Sequence, residues 1–354
     1  MKSFHLTGNH AEGGGRLLFP AKITRGEGCI KNIQTGPFRA PFLFAGKYAL
    51  KKYGGALLAS NPDLRAIIFA GEVWPGEVYR VRRALTEAGA DCLLALGGGK
   101  VMDLAKLIKK DMPSIKLINI PTSASTCAAM TPVAVMYTKE GAYADTLDTP
   151  VAGEVIIDNE IFYGLPMSFF AAGAMDAAAK FYEASAARPG VKDGNPVIDG
   201  AVYSMASACR ERIIKTVGSG WAKQDRRLKR ELTELNIILA GMISCLGKNT
   251  ITGLIAHAAA HAMTHINGAK RFLHGEHVSL GLVIQESVLH NKKNLDEIKG
   301  LAEIMDTPVS FSGIGVKKSG LKVFFDAYNS IDKREKISVY APEKLMYNDL
   351  DAFL

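Results

Sequence analysis

Short apolar runs alternate with amphipathic stretches over residues 42–121. The apolar runs are PFLFAG, RAIIFAG, DCLLALGGG and IKLINIP, and helix-like segments at about 47–58, at about 75–88 and up to Lys110 separate them. This alternation predicts buried parallel strands joined by helices in an α/β sheet. Gly, Pro or Asn bounds each run, and ligands of such sheets gather at the loops that follow the strands.

The pattern changes after Pro166. Two further apolar runs, TPVAVMYT and AGEVIIDN, bracket an expected turn around residues 140–145 and complete the first unit near Leu165. Beyond it, Ala, Met and Leu recur at helical spacing, as in FFAAGAMDAAAKFYEASAA. For a chain of 354 residues we therefore predict two domains, an α/β dinucleotide-binding domain over residues 1–165 and an all-helical domain over residues 166–354.

Composition narrows the class of protein. Hydrophobic residues make up 48% and charged residues 22% of the chain, which is typical of globular proteins. The net charge of +8 comes from scattered Lys and Arg, so we expect no nucleic-acid partner. Five cysteines without a Cys-x-x-Cys pair favour reduced thiols in the cytoplasm. The N-terminus lacks a signal-peptide core and the apolar stretch 235–247 is too short for a bilayer, so no membrane association is expected.

A glycine triplet follows one of the predicted buried strands. Gly97, Gly98 and Gly99 come directly after strand residues 93–96, and a helix is expected over residues 101–110. Glycines let a backbone approach a pyrophosphate closely, while the helix start and Lys100 supply positive charge. The triplet is neither a Gly-x-Gly-x-x-Gly fingerprint nor a P-loop, and taken by itself it suits a simple tight turn equally well.

Candidate metal ligands lie in the second half of the chain. Asp176 and Lys180 are one helical turn apart on a face of small residues, where a carboxylate needs either an ion-pair partner or a metal. Six of the eight histidines are concentrated in one stretch: His257, His261, His265, His274, His277 and His290. One Asp with two His is typical of a catalytic divalent site, and an ordinary ion pair beside structural histidines is the alternative.

Two linked motifs resemble the glycerol dehydrogenase branch of the iron-containing alcohol dehydrogenase superfamily. One is Gly-Gly-Gly-Lys-x-x-Asp-x-x-Lys over residues 97–106, and the other is PTSASTCAAMTP over residues 121–132. The resemblance covers residues 42–285 and implies a bound NADP or NAD. The residues that it implies for cofactor binding are Gly97, Gly98, Gly99, Lys100, Asp103, Thr122, Ser125, Thr131, Val133 and Tyr137.

The resemblance also implies one divalent metal held by Asp176, His274 and a second His. An ungapped alignment favours His257, whereas a gapped alignment places this ligand at His261. With His257 as the ligand, His261 faces the substrate or supports the site, and it is then the candidate catalytic residue. Zinc, iron, manganese and nickel all suit these ligands. The remaining histidines of the stretch are expected to be structural or surface residues: His265, His277 and His290.

The activity implied is hydride transfer between NAD(P)(H) and a small hydroxy or oxo substrate, with the metal as Lewis acid. Cys127 stands where glycerol dehydrogenases carry an Asp that binds the polyol, and its Thr-Cys-Ala-Ala-x-Thr-Pro context resembles hydroxycarboxylate dehydrogenases. A 2-oxo acid is therefore the preferred substrate, with glycerol or another polyol as the alternative. Gly46 and Lys47 stand where the family places an NAD-selecting Asp, and they favour NADP.

Another enzyme class has the same two-domain architecture, namely 3-dehydroquinate synthase, a lyase that uses NAD and a divalent metal. Its metal carboxylate is typically a Glu, so Asp176 and the Cys127 loop favour the dehydrogenases. A noncatalytic nucleotide binder has no need for Asp176, His257 and His274 together. We expect a small-molecule substrate and a homo-oligomer in the cytoplasm.

Overall fold

The structure is a computed structural model, and it describes residues 17–187, 195–247, 254–335 and 344–354. Its strands are β1 (Lys22–Gly26), β2 (Pro41–Gly46), β3 (Arg65–Phe69), β4 (Cys92–Gly97), β5 (Lys116–Pro121), β6 (Val133–Tyr137), β7 (Tyr143–Asp148) and β8 (Glu154–Asp158). Six of them form one parallel sheet in the order β1-β8-β5-β4-β2-β3. The other two, β6 and β7, pair as an antiparallel hairpin.

Helices connect the strands of the sheet, as the alternating pattern predicts. They are α1 (Lys47–Ala49), a π-helical turn (Leu50–Gly54), α2 (Gly55–Ser60), α3 (Pro75–Glu87), α4 (Gly99–Asp111) and, after β8, α5 (Asn159–Tyr163). Every residue of β4 is buried, which explains why this strand is a continuous apolar run in the sequence. A Pro at the first position of α3 suits the helix start, because its fixed φ is already helical.

Two parts of the sheet differ from the sequence-based expectation. The run that was expected to close a turn with TPVAVMYT is β8, which lies in the central sheet between β1 and β5. Instead, β6 pairs with β7, whose sequence YADTLD has no apolar run. The strand β1, with the sequence KITRG, is half exposed and also escapes the pattern. Strands that bury little apolar surface leave a weak signal in the sequence.

After α5, every regular element in the described ranges is helical. The α-helices are α6 (Met167–Ala186), α7 (Pro196–Gly220), α8 (Arg226–Thr233), α9 (Gly241–Leu246), α10 (Ile255–Met263), α11 (His274–Val288), α12 (Lys292–Met305) and α13 (Leu321–Glu335), with a π-helical segment (Glu234–Ala240) before α9. The predicted fold class is confirmed. The proposed domain boundary near residue 165 lies between α5 and α6. No helix of the described ranges combines the length and apolar character that crossing a membrane requires.

Glycines let three helices of the second half approach one another closely. α11 packs against both α6 and α10. A Cβ added at Gly275 would overlap the Ala172 carbonyl of α6, and a Cβ added at Gly281 would overlap the Ala256 carbonyl of α10. A side chain at either position would therefore force the helices apart. Because α6, α10 and α11 carry the candidate metal ligands, their spacing matters for the site.

We predict that Gly281→Ala destabilises the protein, since the overlap is with backbone that cannot rotate away. The apparent melting temperature should fall by several degrees, corresponding to about 1–3 kcal/mol. The matched control is Gly300→Ala in α12, where an added Cβ meets open space. That control should be neutral or slightly stabilising, because Ala is the better helix former. Equal melting temperatures for the two variants would contradict the close-approach argument.

Candidate metal centre and nucleotide loops

The glycine turn and the loop after β5 lie side by side. Gly97 pairs with Pro121 at the carboxyl ends of β4 and β5, and the Thr122 N–H donates to the Gly97 carbonyl at 2.8 Å. A Cβ at Gly99 would come within 2.9 Å of the Thr126 methyl group. The two motifs that carry the family resemblance therefore lie side by side at the start of α4, and the first N–H groups of a helix are suited to binding a phosphate.

A buried lysine holds the far end of this loop. Lys106 is fully buried and lies 3.0 Å from an oxygen of Asp103. Its ammonium donates to the carbonyl and hydroxyl oxygens of Thr131, both at 3.2 Å, and to the Val133 carbonyl. The second Asp103 oxygen accepts a bond from the N–H of Val135 at 3.2 Å. These contacts favour a role in positioning the loop for Asp103, Thr131 and Val133, rather than direct contact with a cofactor.

The other predicted cofactor residues are distributed around the turn. Lys100 lies 2.6 Å from Glu72 and 4.6 Å from the centre of the Tyr137 ring, so its charge already has partners. Thr122 is half-buried, and Ser125 is buried with its hydroxyl 2.8 Å from that of Ser123. Sequence reasoning missed Glu72, because nothing local to its loop indicates that Lys100 reaches it.

Three candidate metal ligands converge between α6, α10 and α11. One ligand atom each of Asp176, His257 and His274 lies within 4.8 Å of the others. Oδ1 of Asp176 is 3.3 Å from Nε2 of His257 and 3.8 Å from Nε2 of His274. Glu276 accepts a bond from the Leu273 N–H at 2.6 Å, which caps α11 and places His274 in its first turn. The structure thus brings His257, rather than His261, into this cluster.

Glu183 orients the His257 ring. Its Oε1 lies 2.8 Å from Nδ1 of His257 and also accepts the N–H of Leu254 at 2.8 Å and that of His257 at 3.2 Å. A carboxylate bound to one ring nitrogen fixes the tautomer and leaves the other nitrogen as an acceptor. Sequence reasoning missed Glu183, although it follows Asp176 by seven residues and so lies on the same helix face.

Burial keeps the other two imidazoles of the site neutral. It lowers the pKa of His274 to about 4 and lowers the pKa of His261 well below its usual range, with further lowering by neighbouring histidines. Neutral imidazole is the form that binds metals. Asp176 is buried, which by itself raises its pKa, but Lys180 and His257 outweigh this effect and lower it. Burial lowers the pKa of His257, but the Glu183 and Asp176 carboxylates outweigh this effect and raise it. One carboxylate and two imidazole nitrogens form a donor set that fits a divalent cation.

Lys180 completes the cluster from the same helix as Asp176. Its Nζ lies 3.6 Å from Oδ1 of Asp176 and 3.2 Å from Nε2 of His257, and its side chain is only 7% exposed. An ammonium group can only donate, so a hydrogen bond from Lys180 to His257 uses the lone pair of Nε2. The tautomer that Glu183 favours supplies this lone pair.

The remaining histidines lie around the cluster. The His261 ring is 5.8 Å from the His274 ring and stacks on Tyr143 of the β6–β7 hairpin at 4.1 Å. His277 is buried and its Nε2 lies 3.0 Å from the Ala269 carbonyl, which is a structural contact. His265 follows α10, and His290 has a positive φ of 53° just after α11.

The nucleotide loop reaches the helix that carries Asp176. A Cβ at Gly173 would overlap the Ala124 carbonyl, and the Asn236 side chain donates to that same carbonyl at 2.8 Å. Cys127 lies on this loop, and burial raises the pKa of its thiol to about 11, with a further rise from the Asp176 carboxylate. Cys127 is therefore neutral and contributes no charge to the site.

Comparison with known proteins relates the chain to one group of oxidoreductases. Residues 20–158 match the family model for iron-containing alcohol dehydrogenase. An uncharacterised oxidoreductase of Synechocystis is 30% identical over 207 residues, which span 58% of this chain and 53% of that protein. The glycerol dehydrogenase of Thermotoga maritima is 29% identical over 314 residues, 84% of each chain. Hydroxycarboxylate dehydrogenase A of Escherichia coli is 26% identical over 262 residues, 72% of this chain and 71% of that protein.

The fold is also found in solved structures. The crystal structure of a probable glycerol dehydrogenase from Sinorhizobium meliloti superposes with a TM-score of 0.81 at 23% identity and covers 96% of both chains. The sheet, the glycine turn and the Asp-His-His cluster are together the features expected of a nucleotide-binding protein with a metal centre in its helical part. Residues 20–158 therefore resemble the iron-containing alcohol dehydrogenase family, and relatives named as dehydrogenases match most of the chain. The predicted resemblance and the predicted enzyme class, an oxidoreductase of the alcohol dehydrogenase type, are confirmed.

We predict that Glu183→Gln weakens metal binding, because the amide cannot supply the charge that holds His257 as an acceptor. The affinity for Zn²⁺ or Mn²⁺ should fall by about 10- to 100-fold in a chelator-competition titration. The matched control is Glu77→Gln, another buried carboxylate, which pairs with Arg80 in α3. Metal affinity should be unchanged in that control. Equal affinities for the Glu183 variant and the wild type would contradict the assignment.

Proposed function

We propose that the protein transfers hydride between NAD(P)(H) and a small 2-oxo or 2-hydroxy acid at the junction of the nucleotide loop and the Asp176 cluster. The observation that carries this proposal is the convergence of Asp176, His257 and His274 within 4.8 Å, next to a loop that contacts α6 at Gly173. The cofactor and the metal would then act on one substrate between them.

Each residue of the site has a defined task in this reaction. Asp176, His257 and His274 would hold a divalent cation, which supplies Lewis-acid polarisation of the substrate oxygen when bound. Glu183 keeps the His257 lone pair facing the site, and the Lys106 contacts fix the loop that would carry the nicotinamide. The His261 ring lies 5.8 Å from the His274 ring at the edge of the site, where it would exchange a proton with the substrate.

The choice of an acidic substrate follows from the charges of the site. Cys127 replaces a residue type that would be anionic, and the thiol is neutral in its buried position. A carboxylate there would repel an anionic substrate, and its absence removes that repulsion. Because some relatives are named glycerol dehydrogenase, a polyol is the second candidate substrate.

A substrate screen tests this proposal. We expect 2-oxo acids such as pyruvate and 2-oxobutyrate to be reduced at least tenfold more efficiently, in kcat/KM, than glycerol or propanediol is oxidised. Exhaustive chelation should abolish turnover, and added Zn²⁺, Fe²⁺, Mn²⁺ or Ni²⁺ should restore it. Turnover that survives chelation would contradict the metal site. Preference for polyols would establish the second candidate, and steady consumption of NAD(P)H would exclude a lyase with an internal redox cycle.

The loop after β2 bears on the choice between NADP and NAD. Gly46 ends β2, and the exposed Lys47 begins α1 beside the predicted nucleotide site. An acid at this place would accept bonds from the ribose of NAD and repel the extra phosphate of NADP. Lys47 instead offers a cation, and we propose that the protein prefers NADP.

We predict that Gly46→Asp shifts the preference towards NADH. The backbone φ of Gly46 is −63° and an added Cβ meets only a Val101 methyl group at 3.9 Å, so the substitution is sterically permitted. The ratio of kcat/KM for NADH to that for NADPH should rise by at least tenfold. Gly55→Asp in α2, where an added Cβ meets open space, is the matched control and should leave the ratio unchanged. A strong NADH preference in the wild type would reject the proposal.

A further inference from the structure

Lys180 is a second cation placed where a metal is expected. Its Nζ lies 3.2 Å from Nε2 of His257 and 3.6 Å from Oδ1 of Asp176, two of the three candidate metal ligands. The residue is only 6% exposed. Burying an ammonium group is costly unless anionic partners surround it. We therefore expect Lys180 to have a function other than stabilising α6.

The groups around Lys180 carry an excess of positive charge once a divalent cation is bound. Imidazoles that coordinate a metal are neutral, while Asp176 and Glu183 each contribute one formal negative charge and Lys180 one positive charge. A divalent cation held by Asp176, His257 and His274 therefore gives the group a positive excess of one unit. A buried positive excess favours a bound anion, because the low dielectric of the interior strengthens the attraction.

The other groups near Lys180 do not neutralise this positive charge. Cys127 is a neutral thiol, and Glu183 accepts bonds from His257 and from the start of α10. Asp176 would be shared with the metal. The ammonium group of Lys180 therefore lies beside two of the three candidate metal ligands, and its strong donors match a carboxylate.

We propose that Lys180 is the specificity-determining residue of the site and binds the carboxylate of an anionic 2-oxo or 2-hydroxy acid. This inference rests on the proposed function and names the residue that selects its substrate class. In a 2-oxo acid the carbonyl and the carboxylate sit on adjacent carbon atoms. A substrate whose carbonyl oxygen is near the three ligands thus brings its carboxylate to the neighbouring ammonium.

A purely structural role for Lys180 makes a different prediction. If Lys180 only neutralises Asp176, its removal should weaken the fold and the metal site without regard to the charge of the ligand. If it binds the substrate carboxylate, its removal should abolish discrimination between anionic and neutral ligands. It should also strengthen metal binding, because a cation adjacent to the metal is lost.

The test compares oxamate, a nonreactive isostere of pyruvate, with its neutral counterpart oxamide. Both are titrated calorimetrically into Mn²⁺-loaded protein with bound NADPH, using wild type, Lys180→Met and Lys180→Arg. Lys180→Met keeps most of the apolar stem without the charge, and Lys180→Arg keeps the charge. Lys292→Met, which removes a lysine that pairs with an aspartate four residues later at the start of α12, is the matched control.

We expect the wild type to bind oxamate more tightly than oxamide, and Lys180→Met to lose about 10- to 100-fold of that preference, as for a hydrogen bond to a charged group. Lys180→Arg should retain most of the preference, and Lys292→Met should leave it unchanged. In a chelator competition without substrate, Lys180→Met should bind Mn²⁺ at least several-fold more tightly than the wild type.

Two results would overturn the proposal. One is an oxamate preference in Lys180→Met equal to that of the wild type, and the other is weaker Mn²⁺ binding in this variant, which indicates a structural role. Should the wild type turn over no 2-oxo acid, the proposed reaction fails, yet the oxamate titration still decides whether Lys180 selects anions. If Lys180→Met does not fold, the Lys180→Arg variant and the wild-type preference carry the decision, and a wild type that binds both ligands equally rejects the proposal.

Discussion

The site depends on one constraint, the compensation of a carboxylate buried in the middle of a helix. Asp176 is 1% exposed and lies among alanines of α6, where an unpaired charge would be destabilising by several kcal/mol. The groups nearest to its carboxylate come from three helices: Lys180 on α6, His257 on α10 and His274 on α11. The helices can supply these groups only because glycines let their backbones meet, as at Gly275 and Gly281.

The same closeness connects the metal centre to the nucleotide loop. Gly173 precedes Asp176 by less than one helical turn and accommodates the carbonyl of Ala124. Lys106, buried under the other end of the loop, bonds the carbonyls of Thr131 and Val133. The loop is thus fixed at one end by a charge in the α/β part and at the other by backbone contact with α6. Hydride transfer requires this fixed relation, because small misplacements of the reacting atoms reduce rates strongly.

The sequence predicts those elements of the fold that produce a periodic pattern or a short local motif. The continuous apolar runs identify β2, β4 and β5, and the glycine triplet marks the turn into α4. The sequence is less informative about strands that are only partly buried. The strands β1 and β7 are therefore missed, and β8 is assigned the wrong neighbour. The candidate site is likewise predicted only in part. The histidine spacing points to His257 and His274, but it leaves His261 open, since residues four apart share a helix face. Only the packing of α10 against α11 separates His257 from His261.

Lys180 shows why the chemical type of a residue and its position must be considered together. As an i,i+4 partner of an aspartate it suggests an ordinary helical ion pair, which would contribute little at a surface. In this structure the pair is buried and shares its space with two imidazoles. Glu183, one turn further along, holds the first of these imidazoles. A single face of α6 therefore presents a metal ligand, a cation and the group that orients a second ligand. Since one helix carries all three residues, their relative positions do not depend on the rest of the fold. The site is then completed when α10 and α11 pack against that face.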